Sequence, residues 1–346
     1  MYEKSVTLKD VAARSAYSLR TVKKVMSGDK TVRPETRENV LQVAKELGYK
    51  KNMAASILAT NRIRNIAIIL GDYRYFFPEA KAGFRKCHKS WISMKVGIEF
   101  LLPKSRTLES SKDLLRSLLH DEKFDAVIMH ASSMTELNPE INALMEKGKM
   151  VCTFGADAPA SKRLFYVGPR AYESGRIAAQ AMANYTGGTG KIYIMKQSLV
   201  EMQTQERVRG FYDYMSEKYP DIRIEQILIS GGVEDYHKKT AELMKLKDVA
   251  GVVGTDADCY IIGSEARKAG RKDVVSLGFD LSVETAELMR EDYFTLILDQ
   301  NPEQQAMIAL DSICRHLLYN TKMENIFTDV AIVTSEILRY KEKTEY

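Results

Sequence analysis

The sequence predicts an α/β protein: a small all-α head followed by a two-lobed core built on parallel sheets. Three observations carry this expectation. Residues 7–49 hold three short amphipathic helical patterns and no strand pattern. From Ile66 onward, short continuous apolar runs alternate with helical patterns, as in parallel sheets covered on both faces. That rhythm breaks and restarts near residue 168, which makes two lobes. The length of 346 residues suits this division, at roughly 150 residues per domain.

In the head, Thr7 precedes Leu8, Val11 and Ala12, and Asp10 follows it by three residues, a capping-box-like start. Ser18 suits the cap of a second helix, whose Val22 and Val25 share a face. Ser15-Ala16-Tyr17 forms the turn between them. Pro34 opens a third helix with Val40, Val43, Ala44 and Leu47 at helical spacing, and Gly48 suits its C-terminal cap.

The core is expected to begin with a strand at Ile66–Leu70 and a helix over FFPEAKAGFRKCHKSW. Strands follow at Val96–Leu101, Ala126–Met129 and Met150–Phe154, with helices at Leu108–Leu119 and near Ile141–Glu146. After Tyr166–Gly168 the second run has helices near Ser174–Tyr185, Arg207–Lys218, Tyr236–Met244, Ile261–Ala269 and Thr285–Arg290. Its strands are Ile192–Met195, Ile224–Ile229, Gly251–Gly254, Val274–Leu277 and Phe294–Leu298. Ligands of open α/β sheets bind beyond the carboxyl ends of the strands, so the default site is a cleft between the lobes.

Composition narrows the function. Apolar residues are 45% and charged residues 28%, which excludes a disordered chain or a collagen. No apolar run reaches the roughly 18 residues of a membrane span, and the charged start MYEKSVTLKDVAARS lacks a signal-peptide core, so a cytoplasmic protein is expected. Cys87, Cys152, Cys259 and Cys314 lie far apart and read as buried thiols. Residues 1–64 carry 14 Lys+Arg against 6 Asp+Glu, a net of +8; the whole chain is +5, leaving −3 for the rest. A basic head on a mildly acidic body points to a polyanion partner.

The second helix, Ser18–Met26, joins an apolar docking side to Leu19, Arg20, Lys23 and Lys24. A helix-turn-helix recognition helix needs that combination, and Arg20 can pair with guanine in the major groove. GGTGK at Gly187–Lys191 fails the phosphate-loop spacing and reads as a helix-to-strand turn. The five histidines are dispersed, and no GxSxG or HExxH occurs, so neither an enzyme nor a cofactor is expected. Arg207, Asp280 and Gln300 lie near strand ends or helix starts, where a cleft would be, although spacing alone favours solvated surface positions for each.

TLKDVA (Thr7–Ala12), SLRTVKKVM (Ser18–Met26), VRPETRENV (Val32–Val40), LGY (Leu47–Tyr49) and the run Asn52–Ala59 resemble the lactose-repressor (LacI/GalR) family of bacterial transcription regulators. FFPEAKAGF (Phe76–Phe84), VGPRAYESGRIAAQ (Val167–Gln180), ERVRGF (Glu206–Phe211), VSLGFD (Val275–Asp280) and Gln300-Asn301-Pro302 resemble the ribose-binding type of periplasmic sugar-binding protein. IFTDVAIVTSEIL resembles the family's closing strand.

The resemblance implies a head over residues 1–51, a hinge helix and linker over 52–64, and an effector-binding, dimerising core over 65–346. Lobe 1 is then about 65–168 with 303–328, and lobe 2 about 169–300 with 329–346. It implies DNA contacts at Thr7, Leu8, Ser18, Leu19, Arg20, Thr21, Lys23, Lys24, Asn52, Ala55 and Leu58, with Leu58 wedged into the minor groove. It implies a sugar or sugar-like effector at Tyr75, Phe76, Phe77, Arg207, Asp256, Asp280 and Gln300. Gly155, Ala156 and Ala257 stand where such sites carry polar groups, so simple pentoses should bind poorly. The expected protein is a homodimeric repressor of a pseudo-palindromic double-stranded operator, with no metal and no membrane. A solute-binding protein without a DNA role and an α/β enzyme are the rival readings.

Overall fold

The computed structural model describes residues 6–26, 29, 31–49, 62–71, 76–105, 107–197 and 202–343. The chain divides into two compact units, Met1–Thr60 and Asn61–Tyr346.

In the first unit, α1 (Leu8–Ser15), α2 (Leu19–Met26) and α3 (Pro34–Glu46) enclose Val11, Val22, Val25, Val40 and Ala44. Local chemistry fixes both ends of α1 and the start of α2. The Thr7 side chain accepts from the Asp10 amide, and the Asp10 carboxylate accepts from the Thr7 amide at 2.7 Å, a complete capping box. Ala16 closes α1 in the left-handed region at φ 59. The Ser18 hydroxyl then accepts from the Thr21 amide at 3.1 Å and starts α2. Such caps contribute about 1 kcal/mol each, a useful share where five side chains form the fully buried centre.

In the second unit, the first sheet runs β11-β5-β4-β3-β1-β2. It comprises β1 (Arg64–Ile69), β2 (Val96–Leu101), β3 (Phe124–Met129), β4 (Met150–Phe154), β5 (Phe165–Pro169) and β11 (Ile326–Thr328), all parallel. The second sheet runs β12-β10-β9-β8-β6-β7. It comprises β6 (Lys191–Gln197), β7 (Arg223–Ile229), β8 (Val249–Gly254), β9 (Val275–Phe279), β10 (Leu296–Asp299) and β12 (Ala331–Val333), with only β10–β12 antiparallel. Each lobe repeats one winding: the second strand at the edge, then the first, third, fourth and fifth.

Strand periodicity assigns the layers. In β6, Ile192 and Ile194 pack with Ala178, Met182, Val208 and Phe211 of α7 (Ala171–Thr186) and α8 (Met202–Lys218). Tyr193 and Met195 face the other way, toward α9 (Gly232–Leu243), α10 (Tyr260–Ala269) and α11 (Val283–Arg290). In lobe 1, α5 (Leu108–His120) and α6 (Asn138–Glu146) cover one face through Leu115, Leu118, Ile141 and Leu144.

α7 and α8 cross at backbone contact. A Cβ on Gly175 would lie 2.0 Å from the Arg207 carbonyl oxygen, and one on Gly210 would lie 2.0 Å from that of Tyr172. The two glycines set how closely α8 approaches, and α8 carries Arg207.

Three sequence expectations need correction. Arg207 lies inside α8 rather than at a helix start, because residues 202–206 are already helical. The apparent closing strand is split: β11 joins the first sheet, β12 joins the second, and α13 (Ser335–Lys343) follows. No helix was expected after Phe294–Leu298, yet α12 (Pro302–Tyr319) follows and packs on α4 (Phe76–His88) beside the first sheet. The turn at Gly187–Gly190 and the buried free cysteines are as expected.

Candidate functional site

The strand ends of both lobes converge on one cavity of about 450 Å³, its open mouth included. Phe76 and His130 line it from lobe 1. Gln203, Thr204, Arg207, Thr255, Asp256, Ala257, Asp280 and Gln300 line it from lobe 2. His130 directly follows β3, Thr255 follows β8, Asp280 follows β9 and Gln300 follows β10. The site thus occupies the carboxyl ends of the strands in both sheets.

Lobe 2 contributes a buried polar chain. Arg207 is 5% exposed, Asp280 8% and Gln300 2%, so each needs a partner. Arg207 donates to the Thr255 carbonyl at 3.1 Å and to Gln300 Oε1 at 2.6 Å. Gln300 Nε2 donates to Asp280 Oδ1 at 2.6 Å. Gln305 Nε2 donates to the Gln300 carbonyl at 2.8 Å. Below, the Arg207 guanidinium stacks 3.9 Å from the centre of the Phe279 ring. Asp280 is left-handed, at φ 66. Burial raises its pKa, while the Arg207 charge and the Gln300 amide act the other way.

Lobe 1 contributes rings. Phe76 stacks on Phe154 with centroids 5.9 Å apart and meets Phe77 edge-on at 5.4 Å. His130 lies 5.6 Å from Phe76 and 5.1 Å from Phe77. Burial among these rings, then the facing Arg207 charge, lowers the His130 pKa from 6.5 to about 4, so the ring is neutral at neutral pH. Gly155 permits the arrangement. Its φ is +70, and a Cβ there would lie 2.6 Å from Phe76 Cζ and 2.9 Å from His130 Cδ2. Ala156 beside it is fully buried.

Across the cleft, Gln203 Nε2 of lobe 2 donates to the Tyr166 hydroxyl of lobe 1 at 3.1 Å. That hydroxyl lies 2.9 Å from the Gly155 carbonyl oxygen, to which it donates. Behind it, Arg163 pairs with Asp157, which also accepts from the Thr153 hydroxyl at 2.6 Å.

Of the expected effector residues, Phe76, Arg207, Asp256, Asp280 and Gln300 meet at this cavity. Phe77 does not line it; it packs behind Phe76 and His130. Tyr75 lies outside the described residues. Sequence reading missed His130, Gln203, Thr204 and Thr255. The strand-end rule that pointed to Asp280 also points to His130 and Thr255. Gln203 and Thr204 lie four and three residues before Arg207, one turn away on the same helix face.

In the first unit, Thr7, Ser18, Arg20, Lys23 and Lys24 are exposed, and Leu8, Leu19 and Thr21 are half-buried. Lys24 Nζ is 3.4 Å from the Thr31 hydroxyl and 3.6 Å from Asp29. Asn52, Ala55 and Leu58 lie outside the described residues.

Residues 7–52 match the family described as bacterial regulatory proteins, lacI family, and residues 75–321 match the periplasmic binding protein domain. The HTH-type transcriptional repressor PurR of Aliivibrio salmonicida is 26% identical over 217 residues, covering 61% of this chain. This chain spans 61% of that relative's length. Catabolite control protein A of Priestia megaterium is 23% identical over 353 residues, covering 99% of this chain and 98% of its own. A putative LacI transcriptional regulator from Bacteroides fragilis superposes with a TM-score of 0.75 at 18% identity, covering 81% of this chain and 99% of its own.

Proposed function

Because this chain belongs to the lacI family of bacterial regulatory proteins and its larger part is a periplasmic binding protein domain, we propose that it is a sequence-specific DNA-binding transcriptional regulator. It acts as a repressor, as a homodimer on a pseudo-palindromic operator, one head per half-site. A small molecule held between the lobes of its core controls its operator affinity.

The observation that carries this reading is α2. Its Val22 and Val25 are sunk in the head's core while Arg20, Lys23 and Lys24 stay in solvent. Leu19 and Arg20 meet base edges, and the lysines meet phosphates. Thr7, Leu8, Ser18 and Thr21, at the helix starts, complete the contact. Asn52, Ala55 and Leu58 form the minor-groove hinge.

For the effector, the converging strand ends support a cleft ligand contacting Phe76, Arg207, Asp256, Asp280 and Gln300. By the family resemblance it is a sugar or a sugar-like molecule. A ligand bridging both lobes shifts the protein toward the closed state by its differential affinity.

Gel-shift titration against duplex DNA tests the reading. With on the order of six phosphate contacts, affinity falls about 10³-fold between roughly 50 and 200 mM salt. Arg20→Ala costs about 1–3 kcal/mol on a specific site and relaxes preference at one base position. A salt-insensitive complex, or none, would defeat the proposal.

A further inference from the structure

The chain enters lobe 1 past a carboxylate that the cleft does not use. We propose that Asp125 is a positioning residue for DNA binding: it gathers Arg62 and Arg64, fastens the chain at its entry into the core, and thereby raises preference for the operator over other DNA. This inference rests on the reading of the chain as a DNA-binding regulator.

The first observation is the anchor itself. Arg62 and Arg64 stand at the start of the second unit, just after Thr60 ends the first. Both donate to Asp125 Oδ1 at 2.6 Å, and the Asn65 amide donates to Oδ2 at 3.1 Å. The Asp125 side chain is 8% exposed, so its charge needs partners. Arg64 and the Asn65 amide, both within β1, already supply them. β1 is held in register by its own backbone, from the Arg64 amide on the Lys95 carbonyl onward. Arg62 lies ahead of the strand and extends the hold along the chain toward the first unit.

The second observation is how the backbone presents Asp125. Asn65 opposes Phe124 and Ile66 opposes Ala126, so Asp125 is the extra residue of a β-bulge. Bulges re-aim the side chain they carry. Lobe 2 repeats the winding and the bulge: Lys191 opposes Val249 and Ile192 opposes Gly251, which makes Ala250 the extra residue. There a Cβ on Gly190 would lie 2.5 Å from the Ala250 Cβ, so the chain enters β6 against a methyl group. The bulge therefore forms without a carboxylate. The carboxylate stands in the lobe that receives the chain from the DNA-binding unit. It also lies at the end of β3 opposite His130, away from the cleft.

A charge-assisted bond from an exposed arginine adds little to global stability, but it restrains the segment that carries it. A segment restrained before DNA arrives loses less entropy when the complex forms, which favours the one productive arrangement.

The test uses the full chain, a duplex that it enriches from a random pool, and an unselected duplex. Asp125→Asn removes a negative charge, so electrostatics alone would tighten binding to both duplexes. The anchor predicts the opposite for the enriched duplex, a loss of about tenfold, with no loss on the unselected one. Arg62→Gln should weaken the enriched complex in the wild-type background and add no further loss to Asp125→Asn. Limited trypsin digestion reads the anchor without DNA, because the protease must take the arginine into its own acidic pocket. Cleavage after Arg62 and Arg64 should be about tenfold faster in Asp125→Asn, with other core bonds unchanged. Unchanged cleavage there would overturn the anchor. Parallel changes on the two duplexes, or additive losses in the double variant, would overturn its role in DNA binding. A wild-type chain that enriches no sequence would overturn the regulator reading and the positioning role with it, while the trypsin rates still report the anchor.

Discussion

Phe76 and His130 wall the cleft on the lobe 1 side, Arg207, Asp280 and Gln300 on the other, and different forces hold the two walls. The lobe 1 wall is a packing solution. Its rings touch edge-on and in stacks at 5.1–5.9 Å, and the space they fill exists because residue 155 has no side chain. The lobe 2 wall is a hydrogen-bonding solution. Each of its charged groups is spoken for, by an amide, a carbonyl or an aromatic face. Removing an atom therefore injures lobe 2, whereas adding one injures lobe 1.

The largest expected effect follows from this contrast. Arg207→Ala leaves Gln300 Oε1 without its donor and Asp280 without its facing charge, and should cost about 3–5 kcal/mol in urea unfolding. Arg207→Lys should recover only part of this, because one ammonium cannot reproduce the fork and the ring stacking. A loss below about 1 kcal/mol would mean that the chain of bonds is not under tension of burial.

Gly155→Ala comes next. It adds one methyl, yet it forces a left-handed alanine, at about 1–2 kcal/mol, and drives the Phe76 ring away, at about 1–3 kcal/mol more. Adding one atom at Ala257, which lines the cavity on the lobe 2 side, as in Ala257→Ser, should be nearly neutral. Equal effects at the two positions would erase the distinction between the walls.

The third effect appears with pH. The folded value of His130, about 4, lies below the ordinary 6.5. As pH falls, the unfolded chain takes up this proton first. Its stability contribution is therefore complete above about pH 6.5 and is lost progressively down to about pH 4. His130→Gln should flatten that part of the stability-versus-pH curve. A parallel curve would show that His130 titrates normally.

The smallest effect concerns the Gln203–Tyr166 bond across the cleft. Tyr166→Phe removes the Gln203 contact and the bond to the Gly155 carbonyl, and should cost about 1 kcal/mol. The lobes should then open more readily, seen as a larger radius of gyration in solution scattering.

The lobe 2 wall was more legible in the sequence than the lobe 1 wall, for a physical reason. Asp280 and Gln300 each directly follow a strand, and polar residues after apolar runs stand out. Phe76 was legible as an aromatic, but it opens a helix while its partners Phe154 and His130 come from the ends of distant strands, and long-range packing has no local signature. Gly155 read as a lost polar ligand, whereas in three dimensions it makes room for a ring. The strand-and-helix alternation gave both sheets because buried parallel strands are continuously apolar. The tail deceived because β11 and β12 are only three residues each and belong to different sheets. In the head, Thr7, Asp10 and Ser18 were legible as caps because capping is local chemistry.

The central claim is that this chain reads DNA sequence through α2. Selection of random duplexes by the full chain at about 100 mM salt, a condition that moderates purely electrostatic binding, followed by sequencing, tests it most directly. The account predicts enrichment of one pseudo-palindromic sequence, with preference at one base position relaxed in Arg20→Ala. A retained pool with no enriched sequence, or one identical for the Arg20→Ala variant, would contradict it.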